Sequence, residues 1–520
     1  MIDLEKILSE MSLKEKIYQT MIPRSKDYLY DEATAEEKIS ECQVGGFFVG
    51  AEIIDKVRMT GERVIEAIGR ANKYLKIPPI ICADTESGCG YLDERFPHFP
   101  RQMTLGATYD KELAYEYGKY TALAAKKIGV NLSLGPVSDI NFNFHNSITG
   151  TRAIGDDPEL VREMVAAEVR GMQEHGMGAT AKHFPGDGMD YRDQHYVVTN
   201  NSLSVEEWKK TYGAIYKTLI DEGLLCVMAG HISFSAYQKE RVDGMPLPAT
   251  LSKELMTDLL KGELGFKYAI MSDALVMRGF RTTYADQIKS EIECFKAGCD
   301  LMLWPCAEYA EAMENAVNSG EVSVERLDDA VMRILLLKKE LGLFGDKEFK
   351  TDSVEKSFDV ANKVAEKSVT LIRDRKNILP CKTAKKVAIV SVRAYDDEHE
   401  SLKYMKEEFI KNGVDAEVYK DICKKDFADC DLIIYCTFAT NHKPLGLQVW
   451  PDWSVGTMFK EKSVVVALGS PYVVNCNFAD IHAAIAVYTN DAQSQRAAVN
   501  AIVGNISFLG KLPVKLPDYM

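Results

Sequence analysis

The stretch GATAKHFPGDGMDYRDQH, residues 178–195, says most about how this chain folds and acts. Its first six residues form a strand-like run, and Pro185-Gly186 ends that run. The loop that follows carries more ionisable side chains than a turn needs for folding. It closes on Asp193-Gln194-His195, a spacing that lets the carboxylate accept the Nδ1–H of the imidazole and orient the ring. A histidine held in this way can transfer protons near neutral pH.

Similar strand-like runs recur on both sides of this stretch and alternate with helical patterns, which predicts parallel strands with helical crossovers. The runs cover residues 44–49, 79–83, 130–134, 179–183, 224–229, 268–271 and 299–303. Seven or eight such units over ~340 residues favour an α/β fold with an N-terminal (β/α)8 TIM-like barrel, whose catalytic residues lie where strands end. A doubly wound open sheet is the alternative. The polar side chains at these ends are Asp84, Asp139, Lys182, His183, His231 and Asp273.

The domain organisation follows from where this alternation changes. The helical pattern at 324–343 is typical of the last barrel helix, and a polar, glycine-containing stretch comes after it. We therefore expect a catalytic barrel over residues 1–345 and a linker helix region over 346–367. Residues 368–520 again alternate strands and helices, which predicts a smaller αβα sandwich domain.

Composition and charge argue against several classes of protein. The net charge of −14 argues against nucleic acid as a partner. The first residues lack the pattern of a secretory signal, and no apolar run reaches the ~20 residues of a membrane span, so we expect no membrane partner and a cytoplasmic protein. The twelve cysteines form no Cys-x-x-Cys pair, which indicates reduced thiols. Glycine-rich nucleotide-binding motifs are absent from the sequence, so no cofactor is expected.

A second informative stretch, YAIMSDALVM at 268–277, delivers Asp273 at the end of an apolar, strand-like run. A carboxylate in that position either caps the following helix or acts as a nucleophile or metal ligand. The residues alone leave these interpretations open.

Taken together, these stretches resemble glycoside hydrolase family 3, and within it the two-domain bacterial β-N-acetylglucosaminidases. The matching motifs are Lys-His-Phe-Pro-Gly at 182–186, Asp-Gln-His at 193–195 and Ser-Asp at 272–273. Three further segments resemble the family's strand-two aspartate motif, its substrate-binding arginine loop and the end of its second domain, at 82–88, 146–158 and 510–517. The motifs follow the family's order along nearly the whole chain.

The resemblance implies a retaining, exo-acting β-N-acetylglucosaminidase that hydrolyses terminal β-linked N-acetylglucosamine through a covalent glycosyl-enzyme intermediate. Asp273 would be the nucleophile, His195 the general acid/base, and Asp193 the residue that orients it. The residues implied to bind the sugar are Asp84, Arg152, Lys182, His183 and His231. A small carbohydrate is then the expected partner, and no metal ligand is implied. Lys182 and Arg152, as cations in the pocket, are expected to keep Asp273 ionised.

Two departures from the family pattern bear on substrate choice. Ser87 stands where the strand-two motif commonly has glycine, and the arginine expected shortly after it is missing. Asp187 stands where the family often has histidine. This added carboxylate is expected either to act electrostatically on His195 or to bind a cationic or amino-bearing part of the substrate.

Other functions are compatible with some of the same residues. A metal site is one, because His183, Asp187, Asp190, Asp193 and His195 are types that ligate metals, although their spacing matches no hydrolase motif and Lys182 would repel the ion. A β-glycoside phosphorylase is another, since a neutral imidazole admits phosphate where an anionic acid/base would repel it. A β-glucosidase of the same family and a non-catalytic sugar-binding protein complete the alternatives. In the second domain, Trp450 and Trp453 suit either a sugar platform or domain packing.

Overall fold

The computed structural model describes residues 2–392, 402–419, 427–439 and 459–517. The chain divides into two compact units. The first comprises Met1–Pro97, Ala114–Asp139 and Val165–Ser357, and the second comprises His98–Leu113, Ile140–Met164 and Phe358–Met520. The sequence-based boundaries placed 98–113 and 140–164 with the first domain. Met103 and Ala107 show why the first of these segments joins the second unit, because both belong to a hydrophobic core of that unit.

Within the described residues, eight short strands of the first unit follow one another in a series of parallel ladders and bridges. They are β1 (Met21–Ile22), β2 (Gly46–Phe48), β3 (Ile80–Ala83), β4 (Leu132–Ser133), β5 (Thr180–Phe184), β6 (Cys226–Ala229), β7 (Ile270–Ser272) and β8 (Met302–Leu303). Ladders join β2 to β3 and β3 to β4, then β5 to β6 and β6 to β7, and finally β8 to β1. Single parallel bridges, Arg24–Phe48, Leu132–Gly178 and Met271–Leu301, connect these ladders.

The α/β class predicted from the alternation is confirmed, and each of the seven predicted runs contains or overlaps one of β2 to β8. The sequence pattern did not reveal β1, because Met21 and Ile22 lie between the end of α2 and Pro23 and so form no separate apolar run. The strands read as continuous apolar runs because they are buried on both faces. Their side chains meet in one core that includes Ile80, Cys82, Met228 and Met271.

Helices separate the strands and are numbered in chain order. They are α1 (Leu4–Glu10), α2 (Leu13–Gln19), α3 (Glu32–Glu41), α4 (Glu62–Tyr74), α5 (Gln102–Ala107), α6 (Lys111–Ile128), α7 (Pro158–Glu174), α8 (Val205–Lys210), α9 (Tyr212–Asp221), α10 (Arg278–Arg281), α11 (Gln287–Ala297), α12 (Tyr309–Asn318), α13 (Val324–Glu340), α14 (Ser357–Ser368), α15 (Lys403–Lys411), α16 (Val473–Asn477) and α17 (Ala492–Val503). A π-helical segment spans Glu254–Glu263. Short two-residue ladders also pair Ile53–Ile54 with Val57–Arg58, Thr199–Asn200 with Ile232–Ser233, and Arg241–Val242 with Met245–Pro246.

Local chemistry explains several of these boundaries. Capping boxes start α2 at Ser12 and α8 at Ser204, where each serine accepts the N–H of a glutamate three residues on. The sequence pattern of residues 205–222 predicts one helix, but the backbone turns at Thr211 and divides the segment into α8 and α9. Gly46 lets β2 approach β3, because a Cβ there would lie 2.0 Å from the Ile80 carbonyl oxygen.

The second unit contains an open sheet of six described strands. They are β9 (Thr370–Asp374), β10 (Lys386–Val392), β11 (Asp415–Tyr419), β12 (Leu432–Thr437), β13 (Ser463–Ala467) and β14 (Ala483–Ala486), in the order β9-β14-β13-β12-β10-β11. All pairs are parallel except β9 with β14. Successive residues alternate between two hydrophobic cores, with Val387 and Ile389 in one and Ala388 and Val390 in the other. Residues of α15 and α17 belong to the first of these cores and residues of α16 to the second.

Among the described residues, no helix combines the length and the apolar character that a membrane crossing requires.

Candidate active site

The candidate site lies in the first unit, where β3, β5, β6 and β7 end. Asp84 directly follows β3, and Asp273 directly follows β7. Lys182 and His183 lie within the second half of β5. The ladder from β5 through β6 to β7 places the ends of these strands side by side. Its register shifts between Ala181 and Phe184, and the Lys182–His183 and Phe184–Pro185 peptide bonds are cis. Residues that are distant in sequence therefore meet at one edge, as parallel strands require.

Lys182 is held between two carboxylates. Its Nζ lies 3.1 Å from Oδ1 of Asp84 and 2.6 Å from Oε1 of Glu86. The lysine side chain is only 3% exposed, whereas that of Asp84 is 54% exposed. A buried ammonium needs such partners to stay charged. Asp84 was predicted to belong here, but Glu86 was not singled out, although it lies two residues further along the same motif.

His183 is oriented by a buried carboxylate. Its Nδ1 lies 2.7 Å from Oδ2 of Asp139, and its backbone N–H donates to Oδ1 of the same residue at 3.0 Å. The backbone N–H of Asp187 donates to that Oδ1 as well, at 2.7 Å. One carboxylate thus fixes both the imidazole ring and the start of the loop. Asp139 was recognised as a strand-end residue but was not among the predicted site residues.

Three donors from the segment after the loop hold its backbone in place. Trp208 Nε1 donates to the Pro185 carbonyl at 2.7 Å, Asn201 Nδ2 to that of Gly186 at 3.1 Å, and Tyr212 Oη to that of Asp187 at 2.5 Å. The loop is therefore anchored before any ligand binds, which favours catalysis because less ordering is needed on binding.

The Asp187 carboxylate is used within the protein. Its Oδ1 accepts the backbone N–H of Gly188 at 2.6 Å, and its Oδ2 accepts the side-chain amide of Gln194 at 3.2 Å. The residue is buried. The Gln194 oxygen in turn accepts the backbone N–H of His231 at 3.0 Å. Asp187 is therefore connected through Gln194 to the segment that follows β6.

Asp193 and His195 form the contact that their spacing predicted. Nδ1 of His195 lies 2.6 Å from Oδ1 of Asp193, which also accepts the backbone N–H of His195 at 2.8 Å. The Asp193 side chain is 5% exposed and that of His195 is 46% exposed. A buried carboxylate therefore orients a half-exposed imidazole.

Asp273 is buried among histidines at the end of β7. Burial alone would raise its pKa, but His183, His231 and the backbone N–H of Ala274 outweigh that effect and hold the pKa below its ordinary value. The N–H of Ala274 donates to Oδ1 of Asp273 at 2.7 Å. The charges that lower the pKa of Asp273 most are those of His183 and His231. Lys182, which was expected to keep Asp273 ionised, is paired with Asp84 and Glu86.

His231 is enclosed directly after β6. Its Nδ1 lies 3.0 Å from the Thr250 hydroxyl and its Nε2 lies 3.2 Å from the Ala274 carbonyl oxygen. Burial lowers the pKa of His231 and outweighs the opposing effect of the nearby Asp273 carboxylate. Both ring nitrogens of His231 thus contact groups within the protein, and Nε2 contacts the residue directly after Asp273.

The segment that carries His195 is attached to the segment that follows Asp273. The backbone N–H of Arg278 donates to the His195 carbonyl at 2.9 Å. Gly279 permits this approach, because a Cβ there would lie 2.1 Å from the Gln194 carbonyl oxygen. The imidazole of His195 also contributes to the lowered pKa of Asp273. Both groups therefore act in one electrostatic environment.

Arg152, Trp450 and Trp453 are the remaining residues that the sequence pattern singled out. Arg152 lies in the second unit, on a single 3-10 turn at Gly150–Arg152. Trp450 and Trp453 lie outside the described residues. In the part of the chain that the structure describes, no group of three or more histidine, cysteine, aspartate or glutamate side chains is arranged to hold a metal ion.

Comparison with known proteins relates this site to one family. The model of the glycosyl hydrolase family 3 N-terminal domain matches residues 12–337. A protein of Cellulomonas fimi named β-N-acetylglucosaminidase/β-glucosidase is 34% identical over 334 residues, which cover 62% of this chain and 59% of that protein. The alignment with β-hexosaminidase A of Pseudoalteromonas piscicida, 26% identical, spans 59% of this chain and 55% of that protein. The matches thus span little more than half the length of these two curated relatives.

Solved structures match along nearly the whole chain. A β-glucoside phosphorylase, BglX, superimposes with a TM-score of 0.87 at 27% identity, covering 98% of this chain and 95% of the other. A family 3 β-N-acetylglucosaminidase from Paenibacillus sp. str. FPU-7 gives a TM-score of 0.82 at 24% identity, covering 98% and 100% of the two chains. At that identity the second match shows the shared fold alone.

Proposed function

The chain belongs to glycosyl hydrolase family 3, and from that premise we propose that it is a retaining, exo-acting β-N-acetylglucosaminidase. It would remove terminal β-linked N-acetylglucosamine from small oligosaccharides or glycoconjugates. The names of the relatives from Cellulomonas fimi and Pseudoalteromonas piscicida support this choice of sugar. We also propose that β1 to β8 form the family's eight-stranded barrel, with the site at the carboxyl ends of the strands.

The pairing of Asp193 with His195 beside Asp273 is the observation that carries the proposal. Asp273 has the lowered pKa that a nucleophile needs in order to attack as a carboxylate. His195 is the mobile proton carrier, because its Nδ1 is fixed by Asp193 while the ring remains 46% exposed. As the glycosidic oxygen leaves, His195 would donate its Nε2 proton. It would then take a proton from the water that releases the sugar.

The other site residues have roles in binding and orientation. Asp84, Lys182 and His183 would hold sugar hydroxyls through charge-assisted hydrogen bonds, because each is fixed by an ion pair or hydrogen bond within the protein. Arg152 is proposed as a further sugar ligand on the strength of its motif. His231 would support Asp273 from inside the protein, since both of its ring nitrogens are engaged.

A β-glycoside phosphorylase is the second candidate, and the match to BglX supports it. In that reaction phosphate replaces water as the acceptor and yields a sugar 1-phosphate. A histidine acid/base suits an anionic acceptor, since an imidazole that has given up its proton is neutral and does not repel phosphate.

Product analysis separates these candidates. Aryl β-N-acetylglucosaminide and aryl β-glucoside are supplied in turn, in phosphate buffer and in phosphate-free buffer, and the free sugar and sugar 1-phosphate are quantified. A hydrolase releases free N-acetylglucosamine at the same rate in both buffers. Phosphate-dependent sugar 1-phosphate would identify a phosphorylase, and preference for the glucoside would refute the assignment of the sugar.

A further inference from the structure

Arg24 and Trp304 form a stacked pair at the ends of two neighbouring strands. Arg24 follows β1, and Trp304 directly follows β8, which pairs with β1. The guanidinium carbon lies 3.9 Å from the centroid of the indole ring. Phe48, the last residue of β2, meets the same indole edge-on at 5.0 Å between centroids. The guanidinium is thus held flat against an aromatic surface.

This pair lies between the two halves of the candidate site. On one side, the backbone N–H of Leu275, two residues after Asp273, donates to the Leu303 carbonyl at 3.0 Å, directly before Trp304. On the other side, the N–H of Val49 donates to the Cys82 carbonyl at 2.9 Å, two residues before Asp84. The strand ends that carry Asp273 and Asp84 therefore flank the strand ends that carry Trp304 and Arg24.

The guanidinium of Arg24 has unused hydrogen-bond donors. Among the residues that the structure describes, the Arg24 side chain has no hydrogen bond and no ion pair, although the residue is partly buried. Other arginines of the first unit are paired, as Arg95 is with Asp93 and Arg192 with Asp190. Stacking occupies the face of a guanidinium and leaves its in-plane N–H groups available. The chain as a whole is acidic, with a net charge of −14, so an unneutralised cation beside the site is a specific feature.

The enclosed indole N–H of Trp304 also has no acceptor among the described residues. This neighbourhood therefore presents donors and a positive charge, and the pair itself supplies no acceptor. A neutral sugar hydroxyl needs both donors and acceptors, whereas an oxyanion needs donors alone. The fork of a guanidinium matches two oxygens of a carboxylate or phosphate.

We propose that Arg24, stacked on Trp304, is a binding site for an oxyanion that takes part in the reaction at Asp273. This inference rests on the proposed glycosidase function. It adds a charged residue that would select the substrate or acceptor by its oxyanion. The oxyanion has two possible sources with the same chemistry. One is a carboxylate on the leaving group of the substrate, and the other is inorganic phosphate acting as the acceptor.

Binding is tested first without turnover. Inorganic phosphate is titrated calorimetrically into the full chain at constant ionic strength, with Arg24→Met, Arg24→Lys and Arg63→Met compared with the unchanged protein. Arg63 is an exposed residue of α4 and serves as the matched control for loss of one arginine. If phosphate is the ligand, Arg24→Met weakens binding at least about tenfold and Arg24→Lys weakens it less, because an ammonium keeps the charge but lacks the planar fork.

Turnover then distinguishes the source. Two aryl β-N-acetylglucosaminides are compared that differ only in a carboxylate or a carboxamide on the aryl ring. If a substrate carboxylate is the ligand, Arg24→Met raises KM for the carboxylate at least about tenfold and changes KM for the carboxamide less than about twofold. If phosphate is the ligand, Arg24→Met instead suppresses phosphate-dependent formation of sugar 1-phosphate from the carboxamide.

The proposal is overturned if Arg24→Met matches Arg63→Met in phosphate binding and in turnover of both glycosides. If the unchanged protein processes no glycoside, the proposed glycosidase function fails, and the calorimetric comparison decides the oxyanion site by itself.

Discussion

Replacing Asp193 by Asn isolates the charge that supports His195. Oδ1 of Asp193 lies 2.6 Å from Nδ1 of His195 and accepts the backbone N–H of the same residue at 2.8 Å. An asparagine oxygen can accept both hydrogen bonds, so the loop keeps its shape while the negative charge is lost. The substitution therefore removes the charge that stabilises the imidazolium formed when His195 takes up a proton.

The expected magnitude follows from this geometry. A hydrogen bond to a charged partner contributes about 1.5–3 kcal/mol and a neutral one about 0.5–1.5 kcal/mol, so the charge is worth about 1.5 kcal/mol. That corresponds to a loss of about tenfold in kcat/KM. Because the His195 side chain is 46% exposed, water shares in stabilising the cation and much larger losses are not expected. Asp193→Ala removes both hydrogen bonds as well and should cost roughly 10- to 100-fold.

The assay compares an activated aryl glycoside with an unactivated disaccharide of the same sugar. Protonation of the leaving oxygen matters more for the disaccharide, so Asp193→Asn should slow cleavage of the disaccharide more than release of the aryl group. Asp190→Asn is the matched control, because Asp190 lies in the same loop but pairs with Arg192. Rates for Asp193→Asn within twofold of wild type on both substrates would refute the proposed role, as would an equal loss in Asp190→Asn.

Three further predictions concern the nucleophile, the loop attachment and a buried lysine. Asp273→Ala should lower turnover at least about thousandfold without changing the thermal transition, and retained turnover would remove Asp273 as the nucleophile. Gly279→Ala should lower kcat/KM at least about tenfold, because its Cβ would meet the Gln194 carbonyl oxygen at 2.1 Å and displace His195; unchanged kinetics would show that this attachment is not needed. Burial lowers the pKa of Lys338 to about 7, and its Nζ donates to Oε1 of Gln19 at 2.7 Å. Between about pH 7 and its ordinary pKa the unfolded chain binds a proton that the folded chain does not, so wild-type stability should rise with pH across that window by at most about 5 kcal/mol. Lys338→Met should raise the melting temperature at pH 7 and flatten that rise, and an unaltered pH dependence in calorimetric melts would contradict the assignment.

Local patterns predicted most of the secondary structure. The sequence pattern predicts a helix over 111–127 and a strand over 386–392, and the structure has them at Lys111–Ile128 and Lys386–Val392. The division of α8 from α9 at Thr211 was not predicted, because apolar spacing continues across it and only the backbone reveals the turn. The strand β1 was not predicted, because Met21 and Ile22 lie between the end of α2 and Pro23; Arg24 follows two residues after it.

In the candidate site, too, local contacts were predictable from the sequence and contacts between strands were not. Asp193 and His195 are two residues apart, so the contact between them depends on local backbone geometry and was predictable from the sequence. The ion pair of Lys182 with Glu86 and the hydrogen bond of His183 with Asp139 join residues from different strands, and no local pattern predicts which side chains meet.

The sequence by itself determined the alternation of strands and helices, the family motifs and the Asp193–His195 pair, since each depends on neighbours along the chain. Only the tertiary structure decided that Arg278 and Gly279 hold the His195 segment beside Asp273, and that Arg24 stacks on Trp304 without a counter-ion among the described residues. These contacts join residues that are far apart in the chain. They exist because parallel strands bring their carboxyl ends together, and that proximity is set by packing of the whole unit.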